Sequence, residues 1–462
     1  MSEELTRKSA SELVQLIRSR SVSAIEVVEA HLRRIDEVNP LINAIVTVAP
    51  DVMKSARAAD DALAKGEEFG PLHGLPITIK DTIDTKGIRT TSGSRRHANR
   101  IPDHDASVVA TLKAAGAIVL GKTNVPEMAI PYETDNPVFG RTDNPGKLVM
   151  TPGGSSGGEA AAIAAYLSPA GVGSDLSGSI RVPAHFCGIA GLKPTTGRIA
   201  FDGHVPEVVG PLAVGASFGP MARCVDDLAL LFGVMAATGM PFDDASDRSL
   251  RPPVAFYTYD GIAPVTEETE ATVRTAAKIL SDAGFTVREE RPPGVSEGSR
   301  LWIELFSHAS SQQVREFYRG RESEAGPLVA SMLGKKHDPP SFEDRVETAE
   351  RLSKAIVERE RLREILLRWM KDTPLIIAPV GAFPAFGHGT RRVDVHGDSI
   401  SIFRAFSYCQ TFNVFGLPAI ALPVGRSSEG LPLGVQIVGR PFAESEVLRA
   451  ARIIESTLSL RA

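Results

Sequence analysis

The chain has 462 residues, of which 43% are hydrophobic and 23% charged, with a formal net charge of −5. That length is too great for one small core and too short for three, so one large α/β domain or two tightly packed ones is expected. Lys and Arg are spread along a mildly acidic chain, which excludes a nucleic-acid groove, and the longest apolar stretch, 160–173, is too short to span a bilayer and is broken by Ser168-Pro169.

In chain order, Ser9-x-x-Glu12 and Ser23-x-x-Glu26 each read as a capping box. Ile25, Val28, Leu32 and Ile35 then recur at helical spacing, and Asn39-Pro40 is expected to stop that helix. An alanine-rich helix over 52–65 should close at Gly66. "GLPITIKD" (74–81) alternates like a strand, and the helical "ASVVATLKAAG" leads into a second strand, "AIVLGKTN" (117–124). "VAFYT" (254–258), a helix from about Thr269 to Ala283 ended by Gly284, and "FTVRE" repeat the strand–helix–strand cadence. "PLIIAPV" (374–380), "AIALPVG" (419–425) and "LGVQIVG" (433–439) add buried strands before a last amphipathic helix carrying Val447, Leu448, Ala451 and Ile454. This alternation implies a sheet flanked by helices. Residues 296–350 are more charged and less periodic, and are expected to form a helical cap or lid. The three cysteines, Cys187, Cys224 and Cys409, are too scattered for a disulfide framework. With a charged N-terminus lacking an apolar run, they fit a cytoplasmic protein. His388, Asp394, His396 and Asp398 cluster in a turn-rich segment, but their spacing matches no standard ligand pattern, so no metal is expected.

"MTPGGSSGGEAAAIAA" (150–165) sets four glycines around two serines. A phosphate-binding loop has the right span, but Glu159 stands where such a loop needs its lysine. Gly153-x-Ser155-x-Gly157 formally fits a nucleophile elbow, yet Pro152 replaces the strand that should feed the turn, and no histidine is marked out as its partner. Taken alone, the loop is a flexible turn into a buried helix.

Taken with "GLPITIKD" (74–81) and "GSDLSGSIRVPAHFCGIAGLKPT" (173–195), it resembles the amidase signature family. The likeness continues in "GIRTTSGS" (87–94), "LGKTNVPE" (120–127), "FGRTDNP" (139–145), "GPMAR" (219–223) and "GLPAIALPVG" through "LPLGVQIVGRPF" (416–442). It covers about residues 9–455 and fades over 296–350. It implies one domain over 1–462, with a central mixed, twisted β-sheet flanked by α-helices on both faces.

It also implies an amide hydrolase that needs no cofactor: Ser179 as nucleophile, Lys80 as base, and Ser155, on a cis peptide after Gly154, as the hydroxyl between them. A serine hydroxyl attacks well only if a base takes its proton, and a lysine can do so only if burial lowers its pKa from about 10.4. Lys80 ends a strand with Thr78 on the face opposite Ile77 and Ile79, and so points either to solvent or into a closed cleft. The backbone N–H groups of Leu176, Ser177, Gly178 and Ser179 would form the oxyanion hole. The family usually has glycine at Ser177, which would be strained there if φ is positive. Asp175 and Arg181 are expected to brace this loop, and Cys187 to be a buried small hydrophobe. Met128, Ala129, Ile130 and Tyr132 match the acyl-pocket stretch, with plain core packing as the alternative, and Gly154 and Ser156 fall at the substrate too. "PYETDNPVFGRT" looks like the stand-alone amidases, including fatty-acid-amide and aryl-acylamide hydrolases. The alternative is the A subunit of an aminoacyl-tRNA amidotransferase, whose usual "TTCASK" differs from "TTSGSRRHAN" here. The expected partner is a small amide substrate, with a homodimer left open.

Overall fold

Both capping boxes form. Ser9 Oγ accepts the Glu12 N–H at 3.1 Å while Glu12 Oε2 accepts the Ser9 N–H at 2.8 Å, and Ser23 and Glu26 repeat the exchange at 3.1 and 2.8 Å. The structure is a computed structural model and describes residues 2–67, 70–236, 250–334 and 342–459. Contrary to expectation, the helix Ala24–Ile42 runs through Asn39-Pro40. Pro40 falls in the last turn, so its missing N–H costs one bond at a helix end, where Asn43 caps the chain in the left-handed conformation (φ 50). The alanine-rich helix Val52–Lys65 closes on Gly66, as expected.

The strands are β1 (Ile45–Val48), β2 (Pro76–Lys80), β3 (Ile118–Thr123), β4 (Ala170–Asp175), β5 (Ala190–Lys193), β6 (Ser217–Ala222), β7 (Val254–Phe256), β8 (Val287–Glu289), β9 (Leu375–Pro379), β10 (Arg392–Val395), β11 (Asp398–Ser401), β12 (Ala419–Arg426) and β13 (Pro432–Val438). Eleven of them form one sheet in the order β1-β3-β2-β4-β6-β5-β12-β13-β9-β7-β8, and β10 and β11 make a separate hairpin. The sheet is mixed. β2 runs parallel to β3 and β4, the strands from β4 through β9 pair antiparallel, and β9, β7 and β8 are parallel again.

Helices cover both faces, and the apolar side chains sort into two large cores. Ile77 and Ile79 enter one with Leu13, Val27 and Leu112. Ile180, Phe186, Phe406 and Phe412 belong to the other. β2 is therefore buried along its whole length, and its pleat turns Thr78 and Lys80 away from the isoleucine face. A third, small cluster joins Met128 to Val314, Tyr318, Val329 and Leu333.

Within 296–350 the chain forms the helices Gly298–Trp302, His308–Tyr318 and Pro327–Leu333 and the start of Phe342–Trp369; residues 335–341 of the expected cap lie outside the described residues. Among the described residues, no helix is long and apolar enough to cross a membrane.

Candidate active site

β2 delivers Lys80 into the protein rather than to solvent. The side chain is 0% exposed, and its Nζ lies 2.7 Å from Ser155 Oγ, 2.9 Å from Ser174 Oγ and 3.4 Å from the Ser174 carbonyl. Burial pushes the ammonium down to about 7, against the opposing pull of Asp175 and Glu159. Glu159 is itself buried, and burial raises its carboxyl to about 7. Thr78 and Thr123 donate to it. Gly171 makes room for this carboxylate, since a Cβ there would overlap Glu159 Oε1. The residue that rules out a phosphate loop thus tethers the helix Gly157–Ala164 to β2 and β3.

Ser155 follows a cis peptide from Gly154. A side chain at Gly154 would collide with the Pro131 carbonyl, so glycine lets the turn press against the 131–133 backbone. Ser156 bonds the two serine loops together: its N–H donates to the Ser179 carbonyl at 3.1 Å. Ser155 is buried and Ser179 half-buried.

The loop carrying Ser179 is held from beneath. Asp175 Oδ1 accepts the Gly178 N–H at 2.8 Å and Oδ2 the Ile180 N–H at 3.1 Å, while Arg181 binds the same carboxylate through Nε at 3.1 Å and Nη2 at 3.0 Å. Burial opposes ionisation of Asp175, but the Arg181 charge and hydrogen bonds outweigh it and hold the carboxyl well below the usual range. This corrects one expectation. Gly178 commits its N–H to Asp175, and among the described residues the N–H groups left without an acceptor here are those of Leu176, Ser177 and Ser179. Gly178 also takes the positive φ (+100), and Ser177 does not, so serine at 177 is unstrained.

Tyr132 reaches this loop, donating to the Ser177 carbonyl at 2.9 Å and receiving the Gln410 amide at 3.2 Å. Trp302 Nε1 donates to the Leu176 carbonyl at 2.8 Å. Met128 is only 2% exposed and packs into the third cluster, the core-packing alternative, with Ile130 against it; Ala129 and Ile130 are half-buried. Glu127 anchors that cluster by accepting the Tyr318 hydroxyl at 2.6 Å. The His388–Asp398 group is dispersed. His388 meets Asp143 at 2.9 Å, His396 the Val265 carbonyl at 3.0 Å, and Asp398 Arg404 at 3.2 Å. Cys187 is buried, its thiol pushed up by that burial.

The Amidase family profile matches residues 26–448. The chain belongs to the amidase signature family. The glutamyl-tRNA(Gln) amidotransferase A subunit of Carboxydothermus hydrogenoformans is 33% identical over 489 residues, spanning 98% of this chain and 97% of that protein. Human fatty-acid amide hydrolase 2 is 33% identical over 487 residues, spanning 99% and 90%. A solved bacterial aryl acylamidase of the amidase signature family superposes with a TM-score of 0.86 at 25% identity, covering 97% of this chain and 96% of that one. The fold is that of this family, and the chain is an amidase-type hydrolase by membership.

Sequence reasoning misses Ser174 and His204. Ser174 is one residue inside the end of β4 and reads as strand polarity. His204 is one of several histidines without context, yet its Nε2 lies 3.1 Å from Ser174 Oγ.

Proposed function

We propose that the chain is a stand-alone amidase that hydrolyses a carboxamide through an acyl-enzyme on Ser179. The observation that carries this is the contact of a fully buried Lys80 Nζ with Ser155 Oγ at 2.7 Å, on a turn bonded directly to Ser179. Uncharged Lys80 takes the Ser155 proton as Ser155 takes that of Ser179, and Ser179 Oγ bonds to the carboxamide carbon. The carbonyl oxygen becomes an oxyanion facing the N–H groups of Leu176, Ser177 and Ser179. The proton then returns along the same path to the leaving nitrogen, the C–N bond breaks, and water attacks the acyl-enzyme by the same relay. Only water is consumed, so the scheme calls for no cofactor.

The apolar character of the half-buried Ala129 and Ile130, with Tyr132 bonded to the oxyanion loop, supports small to medium hydrophobic acyl groups. A panel of aliphatic, aryl and charged amides tests this; fastest turnover of charged acyl groups would reject it.

A second reading, the A subunit of an amidotransferase, is favoured by the similarity to such subunits at 33% identity, which the human amide hydrolase equals. The purified chain alone should turn over simple amides. Activity that emerges only with further subunits and glutamine would support the second reading instead.

A further inference from the structure

We infer that His204 is a positioning residue: acting through Ser174, it fixes the direction of the hydrogen bonds around Lys80 so that the amine's lone pair is left for Ser155. This rests on Lys80 being the base, as proposed above.

The chain of bonds has only one consistent direction. His204 Nδ1 lies 2.7 Å from the Pro206 carbonyl, which can only accept, so Nδ1 carries the hydrogen. Burial, aided by the Lys80 charge and opposed by the Pro206 carbonyl and Asp84, lowers the imidazole to about 4, so the ring is neutral and Nε2 can only accept. Nε2 is 3.1 Å from Ser174 Oγ, which must therefore donate its hydrogen to His204. The oxygen of Ser174 then offers only lone pairs to Lys80 Nζ at 2.9 Å, and the Ser174 carbonyl at 3.4 Å can likewise only accept. Both N–H bonds of the neutral amine are thereby occupied, and the remaining direction, toward Ser155 Oγ at 2.7 Å, is the lone pair. Without His204, the Ser174 hydroxyl is free to turn and donate to that lone pair, in competition with Ser155.

The fold holds this relationship rigidly. β2 ends at Lys80, and after a turn at Asp81 and Thr82 the chain at 82–84 pairs with the backbone around His204. The Val205 N–H donates to Thr82 at 2.7 Å, the Asp84 N–H to Gly203 at 2.8 Å, and Ile83 bridges His204 itself. Phe201 and Phe218, stacked on each other at 4.0 Å, pack against one side of the ring, with centroids 5.2 and 5.9 Å from it. The charged groups facing it are Lys80 and Asp84, and Arg100 clamps Asp84 through two bonds of 2.6 and 2.7 Å.

The test is the pH dependence of kcat/KM on p-nitroacetanilide, or on the fastest amide of the panel, for the full-length chain and the variants H204F, H204Q, S174A, H204F/S174A and S179A. H204F should lower the plateau about tenfold or more and move the acid limb down by about half a unit, because Ser174 now stabilises the uncharged amine. H204Q, whose amide oxygen can accept from Ser174, should restore most of the activity. H204F/S174A should be no slower than S174A, since the competing donor is gone. If H204F does not fold, His204→Asn takes its place: it keeps a donor for Pro206 but does not reach Ser174. A wild-type plateau and limb in H204F, or losses that simply add to those of S174A, would overturn the inference while S179A remains dead. An active S179A would instead overturn the triad on which it rests.

Discussion

Arg181 and Asp175 face each other with both side chains fully excluded from solvent, Nη2 to Oδ1 at 3.0 Å. The pair ties the Ser179 loop to β13 and to the helix Ser407–Val414, because Arg181 also donates to Gln436 Oε1 at 2.7 Å and Asn413 Oδ1 at 2.6 Å. Removing one member strands the other charge in the core, which costs roughly 3–5 kcal/mol. Asp175→Asn should therefore lower the denaturant midpoint markedly and abolish detectable turnover. A variant with unchanged midpoint and rate would mean that the pair does not hold the loop.

Gly178 and Ser177 should respond oppositely to substitution. Gly178 has a φ of +100, and a Cβ added to it would lie only 2.7 Å from that of Cys409, so Gly178→Ala strains both backbone and core. It should lose at least about 1 kcal/mol of stability and most of the activity. Ser177→Gly relieves no strain and forfeits only the hydroxyl contact with Tyr132, so it should stay within about tenfold of wild type. Thermal melts and initial rates on the two proteins check both statements.

Lys80 lowers the stability of the fold that holds it. The folded chain keeps its amine near 7 against 10.5 when exposed, so between those values the unfolded state binds more protons and this group's contribution to stability rises with pH. At pH 7 the penalty is about 4 kcal/mol. Lys80→Met, similar in volume and uncharged, should be at least as stable as wild type at pH 7 and inactive. A large loss of stability would show that the amine is a structural tie instead.

The same shift sets the pH profile. A proposed base such as Lys80 works only when unprotonated, so kcat/KM should rise with pH along a limb centred near 7, the value to which burial brings it. His204, lowered to about 4 by burial, is already neutral over that range and adds no limb of its own. A flat profile from pH 5 to 9 would contradict this.

Strands built of β-branched runs, such as Pro76–Lys80, Leu375–Pro379 and Pro432–Val438, are legible in the sequence because their residues announce burial. β4, β5 and β6, written AGVGSD, AGLK and SFGPMA, are not, since small residues there serve close approach rather than alternation. Lys80, Ser155 and Ser179 are legible only as a set. No local rule says which way Lys80 points when both faces of its strand are covered. The tie from His204 to Ser174 arises from backbone pairing between segments far apart in the chain, which leaves no mark in local pattern. Pro40 misleads because a proline removes one hydrogen bond to the turn before it without ending the helix at its own position, and this helix ends two residues later, at Ile42.

The most direct measurement is to label the native protein with a serine-directed fluorophosphonate and locate the adduct by peptide mass, in wild type and in Lys80→Met. The adduct should fall on Ser179 in wild type and be lost or greatly slowed in the variant. An adduct on Ser155, or undiminished labelling of Ser179 without Lys80, would contradict a serine nucleophile activated by a buried lysine.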